Sequence, residues 1–188
     1  MNITYKLLVQ RRTIRKFKQR KIAKKLLLNC LNAARLAPSS GNLQPLEYIL
    51  ATKNLNKVFN CTRWAGYLKN GAPKKGERPT AYIIILSNQQ INQKAKYDVG
   101  FAAENIILTA LEQGVASCVI GAINRKALAK NLKIPKNYLI ELIIALGYPA
   151  QKSIIEEYKR GVRYWLDKKG VLHVPKRKLK DIVHQENF

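Results

Sequence analysis

The 188-residue chain carries 35 Lys and Arg against 11 Asp and Glu, a formal net charge of +24 at pH 7. Hydrophobic content of 47% and charged content of 24% are ordinary for a globular protein, which excludes disorder as the default and predicts one domain over 1–188 with a substantial core. So large a cationic surplus attracts polyanions, anionic membranes or phosphorylated small molecules, and it speaks to partners rather than to fold.

The charge is uneven. Lys6, Arg11, Arg12, Arg15, Lys16, Lys18, Arg20, Lys21, Lys24, Lys25 and Arg35 all precede Glu47, the first acidic residue. Cys30, Cys61 and Cys118 form no C-x-x-C pair. Cys30 and Cys118 sit in apolar patterns and read as small buried hydrophobes in a reducing compartment. No signal-peptide core and no run of about 18 apolar residues is present, so a soluble cytoplasmic protein is expected.

Thr4 can cap a short helix to Gln10, after which Arg11 to Phe17 alternates as an extended piece. Between Ile22 and Ala37, the residues Ile22, Leu26, Cys30, Ala33, Ala34 and Ala37 recur at helical spacing, with Lys25, Asn29, Asn32 and Arg35 opposite. That helix stops at Pro38, where PSSGNLQP combines two prolines, a glycine and side chains that bond their own backbone. LEYILAT reads as a strand and NLNKVFN as a short helix.

Residues 61–79 then form an irregular stretch, too long for a simple connection and of a length typical of binding loops or lids. Trp64 and Tyr67 within it either cover a ligand or pack the loop onto the domain. AYIIILS follows as a strand buried on both faces.

Residues 98–113 hold no Lys or Arg and are apolar around most of the girth, which predicts a core helix surrounded by protein. Asp98, Asn105, Thr109 and Glu112 form its narrow polar stripe, with Asp98 as N-cap and Gly114 at C′. ASCVIG is expected as a buried strand and Asn124 to Leu132 as a capped helix. YLIELIIALGYP reads as a strand ending in a turn, although Glu141 and the run length leave a helix open. After Pro149 the chain turns polar and basic. Helices mixed with four short strands, without regular βαβ alternation, give an α+β class.

Familiar catalytic signatures are missing. His173 and His184 are the only histidines, and there is no G-x-S-x-G, H-E-x-x-H, Walker A sequence or G-x-G-x-x-G after a strand. Scattered carboxylates argue against a metal or two-carboxylate mechanism. No side chain is singled out as catalytic and no metal is expected, so if the chain is an enzyme, a cofactor supplies its reactivity.

Three segments in order carry a resemblance: Arg11-Arg12-Thr13-Ile14-Arg15-Lys16-Phe17, the Ala37 to Pro45 loop, and Asp98-x-Gly100-x-Ala102-x-x-Asn105-Ile106. With Ser117-Cys118-x-Ile120-Gly121 and Gly147-Tyr148-Pro149 downstream, the chain resembles the nitroreductase family of FMN-dependent oxidoreductases from Arg11 to about Val183. The resemblance implies a central, mainly antiparallel sheet flanked by helices, in an intertwined homodimer with two FMN sites at its interface. It also implies a ping-pong reaction in which NADH or NADPH gives hydride to the flavin and a small nitroaromatic or quinone acceptor takes the electrons.

Carried onto these residues, Arg11, Arg12, Thr13 and Arg15 contact the phosphate and polar edge of FMN, chemistry that suits forked guanidinium donors. Read without the resemblance, the same residues are a basic surface strand. Pro38, Ser39, Ser40 and Asn42 match the loop that touches the flavin ring from the other subunit, and Gln44 is either a further cofactor contact or a brace for the loop. Ile120 and Gly121 match the strand end that offers backbone N–H groups to the ring, and Gly121 permits close approach. Arg177, helped by Lys176, matches a terminal phosphate contact. Val115-Ala116, Val119 and Leu46 depart from frequent family residues, which bears on the shape of the pocket.

Two other readings stay open. In one, the basic N-terminal region binds nucleic acid or another polyanion, although Tyr5 and Phe17 alone interleave its eleven cations, so nucleic acid is not expected. In the other, the protein holds a flavin without turning it over.

Overall fold

The computed structural model describes residues 2–69, 71–158 and 161–186. Two β-branched runs organise it. Ala81–Asn88 (β3) and Tyr138–Pro149 (β5) pair antiparallel, with Ala81 opposite Leu146 and Ile84 opposite Ile143. Successive side chains of a strand point to opposite faces, and every residue from Ala81 to Ser87 is buried, so both faces of β3 are covered.

Leu46–Ala51 (β2) joins the other edge of β3, and both Ala116–Ile120 (β4) and the two-residue Phe17–Lys18 (β1) pair with β5. The result is a five-stranded antiparallel sheet in the order β1-β5-β3-β2, with β4 beside β5. The mainly antiparallel α+β class expected from the sequence is the one observed.

Helices cover both faces of this sheet. On one, Leu27, Cys30 and Ala34 of Lys24–Arg35 (α2) and Val99, Ala102, Ile106 and Ala110 of Lys96–Glu112 (α4) pack on Ile83 and Ile85. On the other, Val58 of Asn56–Phe59 (α3) and Leu128 of Arg125–Leu132 (α5) join Phe17, Tyr82, Ile84 and Ile143. Asn124 caps α5 as expected, its Oδ1 accepting from Ala127 N–H. The N-terminal helix Ile3–Gln10 (α1) packs against α4. Its cap is Asn2, not Thr4, because the Asn2 side-chain carbonyl reaches the amides of both Thr4 and Tyr5.

α4 corrects the sequence reading in two ways. It begins at Lys96 behind Ala95, so Asp98 is a first-turn residue and not the N-cap. The N-terminal part of the polar stripe also turns to protein: Asp98 is 2% exposed and Asn105 Nδ2 donates to the Ala33 carbonyl at 3.0 Å, while Glu112 at the far end is exposed. Apolar residues face out instead, with Tyr97 81% and Phe101 53% exposed. The inversion follows from hydrogen bonding, since buried backbone groups of neighbouring segments need partners more than the sheet needs two further apolar contacts. Gly114 follows the helix at φ +72°, as a C′ glycine should.

Residues 61–79 are irregular as expected, apart from a 3-10 turn at Lys75–Glu77, with residue 70 outside the described set. Trp64 takes the packing role: its Nε1 donates to Thr62 Oγ1 at 2.8 Å and its ring lies 5.8 Å from that of Phe59. All three cysteines are buried and free.

Beyond Pro149 the sequence reading offered no elements, but a second sheet forms there from Ser153–Glu157 (β6), Trp165–Leu166 (β7) and Leu172–Lys176 (β8). β8 lies between a parallel β6 and an antiparallel β7. His173 ties all three together. Its Nδ1 is 2.5 Å from Glu156 Oε1, its Nε2 is 3.4 Å from Asp167 Oδ2, and its ring stacks on Trp165 at 4.1 Å.

Candidate functional site

The segment after α1 lies along the outer edge of β4. Ile14 N–H donates to the Ser117 carbonyl at 2.9 Å and Thr13 bridges Ser117 in parallel. Ile14 is thereby buried, and the flanking side chains Arg11, Arg12, Thr13 and Arg15 line one cavity of about 140 Å³. Strand alternation in β8 completes the wall, because Leu172, Val174 and Lys176 share the face turned to that cavity, with Tyr164 beside them.

Four cations therefore meet where, among the described residues, one carboxylate pairs with them: Glu104 Oε1 lies 3.7 Å from Arg11 Nε. Arg12 gives Nη2 to the Val9 carbonyl. Burial, and then the neighbouring Arg11, pushes its pKa down, both being penalties on positive charge. The Arg15 guanidinium stacks 4.5 Å above the Tyr164 ring, and its Nη1 is buried without a hydrogen-bond partner among the described residues. Unmatched donors beside crowded guanidinium groups are the complement of a phosphate. The volume suits a phosphate too, being well below the roughly 300 Å³ at which pockets for whole drug-sized ligands begin.

Arg177, the terminal residue first favoured by sequence, does not line this cavity. It is exposed and donates to the Asp181 carbonyl, whereas Lys176, the expected helper, stands in the wall. The difference is one of strand parity, since neighbours on an extended segment face opposite ways.

The 38–45 loop lies elsewhere. Pro38, Ser39 and Gln44 line a separate cavity of about 120 Å³ with Arg35, Tyr48 and Asp98, while Ser40 and Asn42 are exposed on the loop. Ser39 Oγ accepts from Gln44 N–H at 3.0 Å, and Gln44 Nε2 donates to Asn42 Oδ1 at 3.1 Å, so within its own chain Gln44 braces the loop.

At the end of β4, the Ile120 side chain is buried and Gly121 is exposed, lining a third cavity of about 570 Å³ with Thr62, Arg63, Ala122 and Asn124. A Cβ on Gly121 would meet Leu142 Cδ2 at 3.7 Å, an ordinary contact. The protein itself does not demand glycine there, so any demand comes from a ligand.

Within one chain, then, the residues named from sequence fall into three groups. Arg11, Arg12, Thr13, Arg15 and Lys176 come together, while the 38–45 loop and the Ile120-Gly121 strand end stand apart. Tyr164, whose ring forms part of the cationic cavity, lies in no motif. Asp98 carried a signal that was misread, a carboxylate inside an apolar helix of a cationic protein. Tyr67 of the long loop packs its ring 5.1 Å from that of Tyr164, which joins the loop to the wall of the cavity. Among the described residues no cluster of His, Cys, Asp and Glu could hold a metal, and no helix is long and apolar enough to cross a membrane.

Comparison with known proteins gives a consistent picture. A relative from Archaeoglobus fulgidus, provisionally named an NADH dehydrogenase/NAD(P)H nitroreductase, is 32% identical over 159 residues, covering 79% of this chain and 86% of its own. The solved FMN-dependent nitroreductase of Clostridium difficile R20291 is 29% identical, with a TM-score of 0.70 over 97% of this chain and 98% of that one. A provisionally named nitroreductase from Desulfovibrio desulfuricans, solved in complex with FMN, shares the fold at 22% identity, with a TM-score of 0.74 over 100% and 99% of the two chains. The sequence profile of the Nitroreductase family matches residues 8–148, from the last turn of α1 almost to the end of β5, and the chain belongs to that family.

Proposed function

We propose that the protein is an FMN-dependent NAD(P)H oxidoreductase, active as a homodimer on a small acceptor of nitroaromatic or quinone type. The observation that carries the reading is the cationic cavity, in which Arg11, Arg12, Arg15 and Lys176 face one carboxylate and leave a buried donor of Arg15 unmatched. FMN, named for the Clostridium difficile relative and bound by the Desulfovibrio desulfuricans protein, carries a phosphate of the charge and size this cavity suits.

When bound, FMN would accept hydride from NAD(P)H and pass electrons to the acceptor. The chain's own part is binding and orientation. Arg11, Arg12 and Arg15 hold the phosphate with Thr13 and Lys176. The backbone N–H groups at Ile120 and Gly121 favour negative charge on the ring. Pro38, Ser39, Ser40 and Asn42 reach the ring from the partner chain, in keeping with the distance of their loop from the cavity of their own chain. An apolar surface fits the dimer: Ile3, Tyr5, Leu8 and Val9 of α1 and Tyr97 and Phe101 of α4 are exposed on two helices that pack together.

The test is a visible spectrum of the purified protein before and after anaerobic NADH or NADPH. Flavin bands that bleach are expected. A colourless protein that takes up no added FMN overturns the reading and turns attention to polyanions, whereas bound flavin that neither donor bleaches leaves a carrier without turnover.

A further inference from the structure

Three residues of the 40–44 turn hold left-handed backbone: Gly41 at φ 57°, Asn42 at 54° and Gln44 at 49°. Glycine enters this region freely and asparagine tolerates it, but for glutamine it is an uncommon, uphill conformation. Such a turn persists when its surroundings hold it.

Most of its hydrogen bonds are internal. Asn42 N–H donates to the Ser39 carbonyl at 2.9 Å, Leu43 N–H to the Ser40 carbonyl at 3.1 Å, and Gln44 N–H to Ser39 Oγ at 3.0 Å. At the exit, Asn88 N–H of β3 donates to the Pro45 carbonyl at 2.9 Å. At the entrance, the tie to the helical layer is Ser40 N–H donating to Asp98 Oδ1 at 3.1 Å.

Asp98 is an unusual anchor. Its Oδ2 has no hydrogen-bond partner among the described residues, and the side chain borders the small cavity beneath the loop. Arg35, on the same cavity, turns its Nε and Nη2 to Asn32 Oδ1 and does not neutralise it. A buried carboxylate is expensive unless it is bonded, and packing alone would be served by an apolar residue like Val99 or Ala102 alongside.

We propose that Asp98 is a positioning residue for the flavin-contacting loop, an inference that rests on the FMN reading above. Its carboxylate fixes the Ser40 amide and, through it, the left-handed turn that carries Ser39, Ser40 and Asn42. The same arrangement sets the polarity of Ser39: its Oγ accepts from Gln44 N–H, so its proton is directed outward, to a carbonyl oxygen or ring nitrogen of the ligand.

Amide hydrogen exchange on the full-length protein without added flavin tests this. Asp98→Ala should speed exchange at Asn42, Leu43 and Gln44 by about tenfold, the effect of losing one charge-assisted bond, with β3 and β5 unchanged. Ser40→Pro removes the donor instead, and its geometry allows it. Ser39 is already extended at φ −132° and ψ 150°, as a residue before proline must be, and the first position of a helical turn accepts proline. It should loosen the same amides, and it decides the matter if Asp98→Ala does not fold. In folded Asp98→Ala the Kd for FMN should rise about tenfold as well, whereas Ser40→Pro, which also removes a flavin-contacting hydroxyl, is read by exchange alone. Unchanged loop exchange overturns the proposal, and so does faster exchange with unchanged FMN affinity. Failure of the wild-type protein to bind FMN removes the functional reading, while the exchange result still judges the anchor.

Discussion

Arg15 and Tyr164, far apart in sequence, meet face to face, with the guanidinium 4.5 Å above the ring. The contact holds Arg15 against the wall of the cationic cavity, with Nη1 buried and unmatched among the described residues. Arg15→Lys keeps the charge and loses both fork and stack, so FMN affinity should fall about tenfold, or ~1.4 kcal/mol. Tyr164→Leu should show a smaller loss. Fluorescence titration with FMN reads both, and equal affinity for Arg15→Lys and wild type would show that charge alone suffices.

Lys176 and Arg177 give a sharper contrast because they are neighbours of like charge. Lys176→Ala should weaken FMN binding several-fold and flatten its dependence on salt, since a phosphate contact is lost. Arg177→Ala, bonded to the Asp181 carbonyl outside the cavity, should stay within about twofold of wild type. The reverse order would return the phosphate contact to Arg177.

The buried and exposed faces of α4 yield a pair of substitutions with opposite outcomes. Ile107 is 4% exposed, and Ile107→Glu buries an unpaired carboxylate, so loss of the folded state is expected, at a cost of several kcal/mol. Phe101→Glu lies on the exposed face and should leave each chain folded while shifting dimer to monomer. Light scattering with circular dichroism separates the two effects. A Phe101→Glu protein that stays dimeric would move the interface away from α4.

His173 gives the second sheet a pH profile. Its hydrogen bond to Glu156, opposed by burial and reinforced by Asp167, raises its pKa above the ordinary value of about 6.5. The stability it contributes is fully present below that ordinary value and is lost as pH rises through the raised one. Asp167 runs the other way. The Val171 N–H holds its pKa down, against the effect of burial and with His173 assisting, so its contribution is lost as pH falls below the usual carboxylate range. Protection of the Leu172, His173, Val174 and Lys176 amides, taken as exchange relative to its intrinsic rate at each pH, should therefore be greatest at mildly acidic pH and fall above neutrality. His173→Gln should remove that alkaline loss of protection, and an unchanged profile in that variant would assign the loss to another group.

How far the sequence disclosed this molecule depended on how strongly each segment repeats. β3 announces itself because a strand buried on both faces reads as an unbroken apolar run, whereas Glu141 and its length left β5 open between strand and helix. α2 and α5 follow from spacing and from the Asn124 cap. β6, β7 and β8 were illegible: they are short, half-exposed and interrupted by charge, so neither alternation nor an apolar run marks them. That blindness carried into the site, because Lys176 can be preferred to Arg177 only once β8 is known to be a strand. Asp98, expected as the N-cap of α4, was misread for a related reason. Amphipathicity shows which residues share a face, but whether Asp98 turns to solvent or to a buried amide depends on a loop dozens of residues away.

The separation of the 38–45 loop from the Arg11 cavity has a consequence for inheritance of damage. In a homodimer where each flavin rests on one chain's arginines and the other's loop, two differently broken genes can rescue each other. A chain lacking Arg11 and Arg15, mixed with one lacking Ser39 and Ser40, would assemble one site from two intact halves and one from two defective halves. Neither parent could hold cofactor well, yet their hybrid would recover close to half the wild-type occupancy.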